Sequence, residues 1–114
     1  MMIREPRDNR ETQRLKGFLD HYLLALISNR GVYGFELIRA MEESTLTPSC
    51  SEGTIYGLLK RLESQGLVES HEEVGVTNRR RRYYRILPEG EKKLDEWNEQ
   101  WSRFREGMDS VISG

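Results

Sequence analysis

Four arginines stand in a row at Arg79–Arg82, directly ahead of Tyr83, Tyr84 and Ile86. In an extended strand successive side chains point to opposite faces, so Arg79 and Arg81 face one way and Arg80 and Arg82 the other. A strand covered on both faces cannot hold such a run, because a buried guanidinium without a partner is too costly. The segment is therefore predicted to project as a ribbon, anchored at its base by the two tyrosines and Ile86. A β-like partner, LVESHEEV at 67–74, precedes it, and Gly75–Asn78 supplies the turn of a hairpin. An arginine-tipped ribbon suits a minor groove or its flanking phosphates. A merely solvated charge run is the plainer alternative, and Glu72 and Glu73 across the hairpin offset part of the charge.

Helical periodicity fills most of the remaining chain. Leu15, Phe18, Leu19, Tyr22, Leu23, Leu26 and Ile27 follow the i, i+3, i+4, i+7 spacing of a helix with a broad apolar face, ended by Asn29, Arg30 and Gly31. A shorter helix from about Gly34 to Glu43 buries Leu37, Ile38 and Met41. TLTPSCS reads as a loop, with Pro48 forbidding continuation. Ser51 caps a third helix, Glu52 suits its first turn, Ile55, Leu58, Leu59 and Leu62 form its buried stripe, and Gly66 closes it.

The opposite side of that third helix is small and basic. At about 100° per residue, Gly53, Gly57, Lys60 and Ser64 form the central line of the exposed face, flanked by Thr54, Tyr56 and Arg61. Two glycines cost a helix about 1 kcal/mol each relative to alanine, which points to a reason for having no side chain there. Close approach of the backbone to DNA is one reason; contact of Gly57 with a neighbouring element is the other. Lys60 and Arg61 suit phosphates or guanine edges, and Ser51, Thr54 and Tyr56 offer hydroxyls to phosphate. Without Asn or Gln on the central turns, direct readout is expected to be thin and DNA shape to matter.

After Pro88 a last helix carries Leu94, Trp97, Trp101, Phe104, Met108 and Val111 at alternating spacings of three and four. This is an a/d pattern with charged flanks, and so narrow an apolar stripe calls for a partner helix. A second copy of the chain is the simplest supplier, with Phe18 and Tyr22 of the first helix joining the interface; packing on the chain's own first helix is the alternative, and the two are compatible. Paired indoles at Trp97 and Trp101 could also leave a slot for a flat apolar ligand, although tryptophan on such a seam more often packs.

Composition narrows the function. The 114 residues fit one small domain. The net charge of −1 hides a contrast: residues 69–87 carry five arginines against three glutamates, whereas residues 88–114 carry four basic and seven acidic side chains. No apolar run approaches a membrane span, the N-terminus lacks a signal-peptide pattern, and the lone Cys50 rules out an internal disulfide framework, so a cytoplasmic location is expected. His21, His71 and Cys50 are too few and scattered for a zinc site, and no phosphate loop or nucleophile elbow is present. Neither catalysis, a cofactor nor a metal is expected.

The order helix, helix, helix, hairpin, helix gives an α+β, mostly α fold class: a winged helix-turn-helix with a C-terminal dimerisation helix. The expected division is a flexible arm at 1–12, the winged domain at 13–88 and the dimerisation helix at 89–114. DHYLLALI, GVYGFELIRAMEE, SEGTIYGLLKRLESQGLVES and RRRRYYRILPEGEKKLDEW resemble the PadR family of bacterial transcriptional regulators, from about residue 15 to the end. Gly53–Tyr56, the helix after it and the Arg-Arg-Tyr-Tyr wing carry the resemblance most specifically. It implies a DNA-binding repressor, dimeric through its last helix and released by a small molecule, with the short-tailed subgroup as the nearest match. In some multidrug-sensing members a helix tryptophan stacks on planar drugs at the dimer interface, and Glu99-Gln100-Trp101-Ser102-Arg103 is similar to that context. Glu52 and Gly57 replace prolines common in the family, so its target sequence does not transfer; Leu87 stands where a capping threonine is usual. The partners expected are double-stranded DNA with an inverted-repeat operator, a second copy of the chain and a planar hydrophobic effector. The rival reading is a winged-helix protein-interaction module whose arginine tip meets an acidic protein.

Overall fold

The computed structural model describes residues 9–29, 31–44 and 50–114, with side chains from residue 17 onward. Residues 1–8 of the expected arm, Arg30, the 45–49 part of the loop and the side chain of Leu15 lie outside the described residues. The chain runs α1 (Asn9–Ser28), β1 (Val32–Tyr33), α2 (Gly34–Glu43), α3 (Glu52–Ser64), β2 (Val68–Val74), β3 (Arg80–Ile86) and α4 (Pro88–Ser113). This is the mostly helical fold with a small sheet expected of a winged helix-turn-helix with a C-terminal helix. Because α1 begins at Asn9, part of the segment read as an arm is helical.

One core joins these elements. Leu19, Leu23, Leu24 and Ile27 of α1 pack with Leu37, Ile38 and Met41 of α2 and with Ile55, Leu58, Leu59 and Leu62 of α3. Leu24 lies off the stripe read from the sequence yet is fully buried, because α1 is covered on more than one side. Val32, Leu67, Val68 and Tyr84 close the core from the sheet, and Leu94 from α4.

The sheet has the order β1-β3-β2, antiparallel throughout. The hairpin matches the sequence pattern; β1 has no such signal, since two residues leave no detectable alternation. It pairs Val32 with Tyr84 and Tyr33 with Tyr83, fastening the base of the wing to the start of α2.

Helix ends follow local chemistry. Ser51 Oγ accepts the Thr54 amide at 3.1 Å, capping α3. At the other end Gly66 takes a left-handed φ of 76°. There the Gly66 and Leu67 amides donate to the Glu63 and Leu62 carbonyls, both at 3.0 Å, a Schellman closure that turns the chain into β2. Leu87 gives α4 no side-chain cap, and Pro88 starts it. A Cβ at Gly90 would lie 2.1 Å from the Leu67 carbonyl oxygen, so only glycine lets α4 leave the sheet this closely.

Candidate nucleic-acid interface

The exposed side of α3 is the one the sequence indicated. Ser51, Gly53, Thr54, Tyr56, Gly57, Lys60 and Ser64 are exposed while Ile55, Leu58, Leu59 and Leu62 are buried. A Cβ at Gly57 would meet nothing within 4 Å, and one at Gly53 only Ser51 Oγ at 4.0 Å. Among the described residues, contact of Gly57 with a neighbouring element is thereby removed as the reason for that glycine. Lys60 makes no ion pair with any described residue. Arg61 behaves differently: its Nη2 donates to Asp20 Oδ2 of α1 at 2.5 Å, which turns it away from the exposed line.

The hairpin divides the arginine run as strand alternation requires. Glu72 faces Arg82, Glu73 faces Arg81 and Val74 faces Arg80 in the register. A left-handed Asn78, at φ 65°, and a 2.9 Å bond from its amide to the Gly75 carbonyl close the turn. Arg80 and Arg82 lie on the α3 side, where an open cleft is lined by Tyr56, Lys60, Glu63, Glu72, Arg80, Arg81, Arg82 and Tyr84. Arg82 donates to Ser70 Oγ at 3.0 Å, and Ser70 donates in turn to Glu63 at 2.9 Å. Arg80 reaches Glu72 at 3.2 Å across exposed surface, a pair weak enough to exchange for a phosphate. Arg79 is exposed just ahead of β3.

Arg81 has company on the other face. Its guanidinium carbon lies 5.8 Å from the Tyr33 ring centroid and 5.3 Å from that of Phe35, within cation–π range. Tyr33 donates its hydroxyl to Glu73 Oε1 at 2.6 Å, and His71 Nε2 lies 2.8 Å from the other carboxylate oxygen. The hydrogen bond to Glu73 holds the Tyr33 phenol above its ordinary range, and the same bond, helped by His71, holds Glu73 below the usual carboxylate range. Glu73 therefore serves the wing's anchorage rather than the arginines. No sequence signal indicated this cluster, because it depends on β1.

The α4 stripe splits. Leu94 is buried and Trp97 half-buried against α1, whereas Trp101 is 44%, Phe104 58%, Met108 43% and Val111 79% exposed. Phe18 stacks on Tyr22 at 6.0 Å and meets Trp101 at 6.4 Å, and Trp101 meets Phe104 at 5.8 Å. His21 lies 5.8 Å from Trp97 and 2.8 Å from Asn98 Oδ1. An aromatic group shared by α1 and α4 thus continues into an apolar stripe that nothing in the chain covers among the described residues. No helix among those residues is long and apolar enough to cross a membrane.

Comparison with known proteins agrees with this geometry. Residues 23–96 match the model of the transcriptional regulator PadR-like family. A PadR-like transcriptional regulator from Bacillus cereus is 32% identical, with 90% of this chain and 98% of that one aligned at a TM-score of 0.79. A Streptococcus transcriptional regulator is 28% identical, covering 89% and 98% at 0.76. A PadR-like transcription factor from Bacteroides fragilis is 28% identical, covering 91% and 99% at 0.75.

Proposed function

The chain belongs to the PadR-like family of transcriptional regulators, and from that premise we propose that it is a homodimeric repressor gripping two half-sites of an inverted repeat. The observation that carries this reading is the single cleft into which α3 presents Lys60 and Tyr56 and the wing presents Arg80 and Arg82. Each α3 enters a major groove, with Gly53 and Gly57 letting its backbone approach the bases and Ser51 and Thr54 directed at phosphate. Each wing sets Arg80 and Arg82 on the neighbouring phosphates, with Arg79 extending the contact.

Two copies join through α4, each burying Trp101, Phe104, Met108 and Val111 of the other, with Phe18, Tyr22, Leu94 and Trp97 lining the inner edge. The exposure of that stripe supports this, since apolar surface of this kind on a small domain marks a contact site. The half-exposed Trp101, flanked by Phe18 and Phe104, is suited to a planar hydrophobic effector, with Trp97 behind it.

An electrophoretic shift with the duplex upstream of the chain's own coding region tests the reading. A retarded complex that weakens steeply with salt is expected. No retardation at low salt would overturn it and favour a winged-helix protein-interaction module. Quenching of tryptophan emission by flat aromatic cations, abolished in Trp101→Ala, tests the effector slot.

A further inference from the structure

Of the two cations on α3, Lys60 faces outward and Arg61 is held by Asp20 of α1. The Asp20 side chain is 15% exposed and that of Arg61 33%. Asp20 Oδ1 is buried and accepts no hydrogen bond among the described residues, so Arg61 is the partner on which this carboxylate depends. Moving Arg61 to a phosphate would strand a mostly buried charge, which costs far more than one exposed phosphate contact returns. Arg61 therefore stays on α1 when α3 meets DNA.

The placement of Asp20 on α1 gives the pair its consequence. At about 100° per residue, Asp20 lies about 160° around the helix from both Phe18 and Tyr22. Phe18 and His21 meet Trp101, Trp97 and Asn98 of α4, while Asp20 meets α3 from the far side. Helix α1 is thus clasped between the aromatic seam and the groove-facing helix. A displacement of either one is imposed on the other, because a packed helix moves as a unit.

We infer that Asp20 and Arg61 form the strut linking the α1–α4 aromatic seam to α3, making Arg61 a positioning residue rather than a DNA contact. The inference rests on the DNA-binding reading above and deepens it: an occupant of the seam reaches the operator through this pair. By reciprocity, DNA bound at α3 alters the surroundings of Trp97 and Trp101. These are the only two tryptophans in the chain, so emission excited selectively at tryptophan reports the seam without the tyrosines, Tyr56 of the DNA-facing helix among them.

The test titrates the intact chain with the upstream duplex at several salt concentrations, reading affinity and tryptophan emission together. The wild-type emission is expected to change on saturation. Asp20→Asn is expected to lower affinity by about five- to tenfold, to keep the wild-type salt slope, and to silence the emission change at saturating duplex. The swap Asp20→Arg with Arg61→Asp is expected to recover both. Should Asp20→Asn fail to fold by circular dichroism, Arg61→Gln carries the same readings from the other side of the pair. A salt slope reduced by about 0.9 in Arg61→Gln, the value for one phosphate left without its cation, would overturn the strut and make Arg61 a DNA contact. Wild-type emission unmoved by bound duplex would overturn it too. Those results leave the DNA-binding reading standing; a wild-type chain that retards no duplex removes both.

Discussion

Replacing Gly57 with alanine should move stability and DNA affinity in opposite directions. Gly57 lies inside α3 with helical neighbours on both sides, and a Cβ there meets no atom within 4 Å among the described residues. The substitution therefore adds no clash and removes the helical penalty of glycine, about 1 kcal/mol. For a domain of this size that raises Tm by about 4 °C, compared at matched protein concentration because the proposed species is a dimer. On DNA the same methyl stands between the helix backbone and the base edges. Holding α3 back by that distance weakens base-edge hydrogen bonding worth about 1–3 kcal/mol per base, and forfeiting it at one base is about tenfold in Kd. Differential scanning fluorimetry and an anisotropy titration on labelled operator read the two effects. A variant that is more stable and binds DNA as well as wild type would refute close approach at this face. A variant that is less stable would refute the open surroundings of Gly57.

Other outcomes follow from the same geometry. Arg80→Ala with Arg82→Ala should weaken binding alike for all sequences and reduce the salt slope by about 0.9 for each phosphate no longer neutralised; an unchanged slope contradicts the wing's role. Phe104→Glu should yield folded single subunits in sedimentation, because Phe104 is 58% exposed in one chain and the proposed dimer would bury a charge there. Glu73, held below the carboxylate range by Tyr33 and His71, should contribute stability above its unfolded pKa that disappears as pH falls through its lower folded one. Tyr33, held up by the same bond, should keep its contribution below its ordinary 10.0 and forfeit it as pH rises through the raised folded value. The stability gap between wild type and Tyr33→Phe should accordingly be flat between these limits and close at both ends, which denaturant midpoints across pH would show; a gap independent of pH contradicts the bond.

The sequence was most legible where one residue pattern settles one element. The stripe Ile55, Leu58, Leu59, Leu62 with Ser51 before it and Gly66 after it defines α3 at both ends, and the structure places cap and closure there. Strand alternation likewise sorted Arg80 and Arg82 from Arg81. What each face meets was not legible. Arg81 finds Tyr33 and Phe35 through β1, two residues too short to carry a period. Arg61 and Asp20 are 41 positions apart, and only the packing of α1 on α3 brings them together. The periodic stripe of α4 left packing on the chain's own first helix and on a partner both open, and periodicity alone could not say that Leu94 and Trp97 serve the chain's own core while Phe104 and Val111 stay exposed.

Two chains presenting paired α3 helices to one duplex are central to the proposed function. Sedimentation equilibrium of the chain with its upstream duplex, combined with hydroxyl-radical footprinting of the same complex, measures this directly. Two chains per duplex, with symmetric protections about one helical turn, ~34 Å, apart, are the predicted result. A complex containing one chain, or one protected patch without a symmetry mate, would contradict it.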